Sequence, residues 1–208
     1  RPRLWIGVAF VATRLLFLFL IVGALGHVSL DLSTYFEAQG SAILRGDLPY
    51  RDFDCSYGPL VPYLMALPAS LGSGVMPYFV FFVLADLGVI VTLLAAARDI
   101  GRATTVRAAW LYAVAPITWY FLVRYGQDEA LAAFFLTAAW LCFRRGRETA
   151  AALVLALGFA ATKFTFGIFL PPFFFAARHR LRFGSSLALF LGFLFLPFLI
   201  AGIPVWAP

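Results

Sequence analysis

Apolar runs of about twenty residues, set apart by tight clusters of arginine, leave this chain few ways to fold. Residues 4–25, 75–97 and 184–203 are each long enough to cross the hydrocarbon core of a bilayer as a helix. Only 12% of the 208 residues are charged and 63% are hydrophobic, whereas a soluble domain carries about 25% charged residues. The expected fold is therefore an all-α polytopic membrane protein. The first run is long enough to span, so a cleavable signal peptide is not expected. The sequence opens on Arg1 and ends in GIPVWAP straight after an apolar run, and we expect it to be the N-terminal part of a longer chain, forming a single module over residues 1–208.

Charge placement sets the topology. Eleven of the sixteen basic residues fall at Arg1 and Arg3, at Arg98, Arg102 and Arg107, at Arg144, Arg145 and Arg147, and at Arg178, Arg180 and Arg182. Clusters between apolar segments mark cytoplasmic loops, which accounts for the net charge of +6 without a nucleic-acid partner. With these clusters inside, residues 4–25 cross outward and 27–60 form an external loop. Residues 75–97 return, 108–125 leave, 127–143 return, and 184–203 leave again. About thirty residues separate Arg147 from Arg178, too many for one span and few for two. Two short helices meeting near Lys163 satisfy both clusters, provided that their turn is buried in protein or faces water. Residues 57–71 then form an interfacial helix broken from the next span by LGSG. Cys55 and Cys142 fall on opposite sides and cannot pair.

The external loop holds Asp31, Glu37, Asp47, Asp52 and Asp54, half of the chain's ten acids. A connection this long in a compact protein is usually functional. Thr34 and Glu37 have the spacing of a capping box, and Gly46 reads as a helix stop. Leu32, Tyr35, Phe36, Ile43 and Leu44 give this helix an apolar side suited to a membrane surface. Asp47 in GDLP is read as turn chemistry. Asp86 and Arg14 both lie within spans, where ionisable groups need partners, and a structural pair is expected.

The stretch LDLSTYFEAQGSAILRGDLPYRDFDCSYGPLVPYL, residues 30–64, resembles the first external loop of the GT-C superfamily of membrane glycosyltransferases. Its likeness is to the bacterial branch that contains the phosphatidylinositol-mannoside mannosyltransferases. An aspartate followed by an aromatic, a short helix, a PY-x-D-F stretch and a tyrosine-containing turn into Pro-Leu occur in that order. YGQDEALAAFFLTAAWLCF, residues 125–143, and the lysine of the next hairpin continue the likeness. Gly58 stands where that branch usually has a proline, and its chains are about twice as long.

The resemblance implies a polyprenyl-phosphate sugar as donor, a glycan, lipid or protein acceptor, and a site on the outer face of a bacterial cytoplasmic membrane. It makes Asp31 the expected general base; the alternative for Asp31 is a helix-start residue. Asp52 and Asp54 are candidates to hold the acceptor or a divalent cation, magnesium or manganese, against a solvated turn in which Arg51 neutralises one of them. Lys163, the chain's only lysine, is expected at the donor phosphate, with Arg51 as a second cation there. Its alternatives are snorkelling to the interface or pairing with Asp128. Tyr57, Gln127 and Asp128 are expected to line the cavity, with a helix-start role open for Asp128. Tyr50, Phe53 and Tyr57 offer a sugar platform or plain interfacial anchors, and His27 reads as interfacial. A transporter or flippase of a lipid-linked sugar is the rival reading, and a non-catalytic scaffold a third.

Overall fold

The structure, a computed structural model, describes residues 2–24, 26, 31–120, 122, 124 and 128–203. Among them the regular elements are all helices, with no strand. Helix α1 (Pro2–Leu18) runs on into a π-helical turn, Phe19–Ala24, and a second π turn, Asp31–Phe36, leads into α2 (Glu37–Arg45). Then follow α3 (Val61–Leu71), α4 (Met76–Ala95), the short α5 (Ala97–Ile100), α6 (Arg102–Val114) and α7 (Pro116–Tyr120). Helix α8 (Glu129–Arg144) and α9 (Glu148–Ala160) form a hairpin, a 3₁₀ turn (Phe164–Phe169) leads into α10 (Leu170–Ala176), and α11 (Arg180–Ile200) closes the described chain. Helices α4 and α11 are long and apolar enough to cross a membrane. Leu181, Leu189, Phe193 and Ile200 lie exposed on α11, a surface that suits lipid and not water. The fold is that of an all-α membrane protein.

Small residues let the helices approach closely. Ala139 of α8 packs with Ala151, Ala152 and Leu155 of α9, sealed by Phe166 and Phe183. Ile6 and Phe10 of α1 meet Ile90 of α4 and Ala109 and Ala113 of α6. At the centre of this second cluster is the expected charge pair. Arg14 Nε and Nη2 donate to Asp86 Oδ2 at 2.9 and 2.7 Å, and both side chains are fully buried. Tyr112 donates to the other carboxylate oxygen at 2.5 Å. The guanidinium also reaches the Ala113 carbonyl and, at 3.2 Å, the Thr118 hydroxyl. One cation thus ties α1, α4, α6 and α7 together across the break before Pro116.

The arginine clusters assemble at one end. Arg145 Nη2 donates to the Ala95 carbonyl at 2.8 Å and pairs with Asp99 at 3.3 Å. Glu148, opening α9, accepts the backbone N–H groups of Arg178 and His179. Helix α8 runs from there for 16 residues, about 24 Å at 1.5 Å per residue, to the end that carries the acidic loop. The two short helices do meet at Lys163, which opens the 3₁₀ turn in extended conformation. Both cysteines are free.

Two expectations are corrected. The helix before Gly46 starts at Asp31 as a π turn, so Thr34 and Glu37 form no capping box; Glu37 instead accepts the Gly74 N–H at 2.7 Å. That bond clamps the loop helix to the LGSG break. The apolar side of the loop helix is also not simply laid on the membrane. Leu32 and Phe36 are buried against Tyr57, Val61 and Phe82, while Tyr35 and Leu44 are exposed. Gly46 does end α2, in the left-handed conformation, with Asp47 N–H returning to the Ala42 carbonyl. His27 lies outside the described residues.

Breaking a buried pair leaves an uncompensated charge, at about 3–5 kcal/mol. We expect Asp86→Leu to lower the thermal stability of the purified protein sharply, and Arg14→Met with Asp86→Leu to recover much of the loss. A double variant no more stable than Asp86→Leu alone would contradict the pairing.

Candidate active site

The loop that leads from α2 to α3 first makes a tight turn. Asp52 N–H donates to the Leu48 carbonyl, Tyr50 N–H to Phe53, and Tyr50 takes a positive φ of 63°. Asp52 is locked inside this turn. Arg51 donates to both its oxygens, at 2.9 and 2.7 Å, and Leu48 N–H donates to Oδ2 at 2.8 Å. The Arg51 bonds, then the Leu48 N–H, pull the Asp52 carboxyl down to a pKa of about 2. Such a carboxylate stays ionised and is a weak base at neutral pH. Arg51, Asp52 and Asp54 are all exposed; the solvated turn with Arg51 neutralising Asp52 is what the chain adopts.

After the turn the chain docks on the lysine hairpin. Gly58 N–H donates to the Thr162 carbonyl at 2.8 Å, and Leu60 N–H to the Ala160 carbonyl at 2.9 Å. A Cβ on residue 58 would stand 2.3 Å from the Ala160 oxygen. A proline here would lose the donor as well, so this docking requires glycine at position 58.

That docking carries Tyr57 to the charged groups. Tyr57 is buried with its ring 5.2 Å from Phe36. Its hydroxyl pKa is pushed up to about 12, by burial first and then by the charge of Asp128, with Asp31 and Glu129 adding to this and Lys163 opposing it. The hydroxyl stays protonated and serves as a hydrogen-bonding group. Tyr57 thus feels the charges of Asp31, Asp128 and Lys163, and of these Asp128 and Lys163 are in direct contact. Asp128 stands at the N-cap of α8 but makes no side-chain cap bond; its buried carboxylate pairs with Lys163 Nζ at 3.1 Å. Glu129, on the exposed side, pairs with the same nitrogen at 3.0 Å. Of the two bland alternatives for Lys163, the pairing with Asp128 is present.

Beneath this cluster lies a cavity of about 340 Å³, with Asp128, Glu129 and Lys163 at its polar edge and Ala132, Leu136 and Phe169 among its apolar walls. A neighbouring cavity of about 280 Å³ shares Glu129 and reaches Tyr112 and Thr118. Glu129 therefore borders both, a role that sequence reasoning missed. The available signal was a second carboxylate beside Asp128, facing the chain's only lysine.

The three aromatics form no shared platform. Tyr50 packs edge-on against Phe198 at 6.1 Å and donates its hydroxyl to the Tyr57 carbonyl, while Tyr57 belongs to the core beside Phe36. Gln127 lies outside the described residues. As for a divalent cation, both Asp52 oxygens are engaged, and no group of three His, Cys, Asp or Glu is arranged to hold a metal among the described residues. These residues do not fit a resident cation.

Overpacking a close backbone contact costs about 1–3 kcal/mol. Gly58→Ala is expected to lower thermal stability by that order and to weaken activity further, because it lifts Tyr57 away from Lys163. A melting temperature and turnover both equal to wild type would show that the loop does not rest on the hairpin.

No curated protein and no solved structure matches this chain. A family profile does: that of glycosyltransferase family 87 matches residues 56–208. The match starts in the docked loop and includes the lysine hairpin, the cavity and α11. The chain belongs to glycosyltransferase family 87.

Proposed function

We propose that this glycosyltransferase moves a sugar from a polyprenyl-phosphate donor to an acceptor hydroxyl on the outer face of a bacterial cytoplasmic membrane, with inversion. The observation that carries the reading is a lone lysine, held by two carboxylates, at the rim of an apolar cavity. A lipid phosphate needs that combination: a cation for its head and apolar walls for its chain. An ammonium has three donors; Glu129 accepts one of them at 3.0 Å, while Asp128 is an ion-pair partner at 3.1 Å whose Oδ1 accepts no hydrogen bond. The remaining donor capacity, on a side chain 37% exposed, is available to a phosphate oxygen.

In the proposed reaction the acceptor oxygen attacks the anomeric carbon opposite the phosphate. The bond from that carbon to the phosphate oxygen breaks, and its electron pair leaves with the phosphate, beside Lys163. Asp31 takes the acceptor's proton. Tyr57, kept protonated, orients the reacting groups by hydrogen bonding. Arg51 and Asp54 serve at the exposed loop, where a water-borne acceptor enters, and the Arg51–Asp52 pair holds the turn's shape. The outward orientation rests on the positive-inside rule: the arginine clusters gather at the end away from this cavity. A multi-pass arrangement follows from the same rule, and a hexose or pentose as the sugar, with mannose favoured, from the resemblance. The transporter reading is weaker, because the charge pair inside the bundle, Arg14 with Asp86, is closed on itself.

Sugar transfer assayed in membranes with a labelled polyprenyl-phosphate sugar tests this directly. Asp31→Asn should lose about 10²–10⁴-fold in turnover while still binding donor. Wild-type turnover in a folded Asp31→Asn protein would remove Asp31 as the base.

Lys163→Ala is expected to raise the KM for the lipid donor about tenfold or more, as expected for a lost charge-assisted hydrogen bond of about 1.5–3 kcal/mol, and to lower kcat. Lys163→Arg should keep part of both. Because Lys163→Ala strands the buried Asp128, the double variant with Asp128→Asn supplies the folded comparison. Donor kinetics unchanged in that variant would reject the phosphate role.

A further inference from the structure

The basic end carries charge that its own acids do not neutralise. Asp99 takes up Arg145, but among the described residues no carboxylate pairs with Arg147, Arg178, Arg180 or Arg182. Glu148, the adjacent acid, has both oxygens engaged: Oε1 accepts Arg178 N–H at 2.8 Å and Oε2 accepts His179 N–H at 3.2 Å. This clamp fixes the turn before α11 against the start of α9. Between them it leaves a crevice of about 440 Å³. Arg147, Glu148, His179 and Arg182 line its polar side, and Leu153 and Phe190 its apolar side. Phe190 belongs to α11, beside the exposed Leu189 and Phe193. The crevice therefore runs from a basic rim onto the lipid-facing surface of a membrane-spanning helix.

We infer that this crevice binds an anionic phospholipid, with its headgroup phosphate between Arg147 and Arg182 and an acyl chain along Leu153 and Phe190. Guanidinium groups match phosphate oxygens in bidentate geometry. The crevice borders the N-terminal, positive end of the 13-residue α9, where the Glu148 carboxylate is already tied to the Arg178 and His179 N–H groups. Basic pockets between membrane helices take anionic headgroups for these reasons. The apolar wall selects lipid over a soluble anion, which has no use for Leu153 or Phe190. The site lies at the opposite end of α9 from Lys163, so its occupancy is separable from donor binding. An anionic lipid there would neutralise the unpaired arginines and brace α9, whose far end carries the lysine turn.

Native mass spectrometry of the purified protein, in micelles doped with phosphatidylglycerol or phosphatidylcholine, reads the binding without relying on activity. Phosphatidylglycerol should be retained in preference to phosphatidylcholine. Arg147→Gln with Arg182→Gln should weaken that preference about thirtyfold, at about 1 kcal/mol for each arginine. Arg98→Gln, in another basic cluster and outside the crevice, should leave it unchanged. Arg147→Lys with Arg182→Lys keeps the charge and should retain most of the binding, which separates lost charge from lost folding. Equal retention of the two lipids, or a preference that survives the double glutamine variant, would overturn the inference. So would displacement of the lipid by millimolar inorganic phosphate, which would assign the crevice to a soluble anion.

Discussion

Two backbone hydrogen bonds, from Gly58 to Thr162 and from Leu60 to Ala160, hold the site together. A helix end leaves its last carbonyls without partners, and in or near hydrocarbon that is several kcal/mol for each group. Helix α9 stops short, at Ala160, inside the protein. Its end is satisfied piece by piece. Ala161 N–H returns to Leu157, the Thr162 hydroxyl donates to the Gly158 carbonyl at 2.7 Å, and Leu60 N–H of the external loop donates to the Ala160 carbonyl. The loop is therefore a structural cap for the broken hairpin. The same contact brings Tyr57 within the field of the Asp128–Lys163 pair.

Charge is handled differently at the two ends. At the lysine end Lys163 is paired with two carboxylates, Asp128 and Glu129, and is the counter-ion of the buried Asp128. In the proposed reaction the donor phosphate shares Lys163 with Glu129, whose side chain is 53% exposed. Asp128 is buried and holds the amine in place meanwhile. At the arginine end the balance is reversed, with cations in excess and acids used as clamps. The middle of the bundle has one closed network around Arg14 and Asp86. Replacing one partner there is expected to be destabilising, and it has no evident part in the chemistry.

Much of this was legible in the sequence, for physical reasons. Run length gives α4 and α11 and arginine spacing the hairpin at Lys163, because hydrophobic thickness leaves little freedom, whereas the span expected over residues 108–125 breaks before Pro116. Arg14 and Asp86 could be paired because each is intolerable alone. The missed details depend on tertiary contact. Glu37 has capping-box spacing but finds Gly74, thirty-seven residues away. The apolar side of the loop helix has the pattern of a surface helix, yet Phe36 faces Tyr57 and Phe82. Asp52 reads as a ligand until Arg51 and Leu48 are seen to occupy both its oxygens. Glu129 reads as a helix-start acid, and only the folded hairpin brings Lys163 to it. The family is evident from residue 56 onward, whereas the proposed base, Asp31, lies before the matched region.

The most direct measurement is an experimental structure of the protein with a bound polyprenyl phosphate. The account predicts a phosphate oxygen about 3 Å from Lys163 Nζ, with the first isoprene units between α8 and the 3₁₀ turn, against Leu136 and Phe169. A phosphate bound at Arg51, or a lipid chain lying outside that cavity, would contradict it.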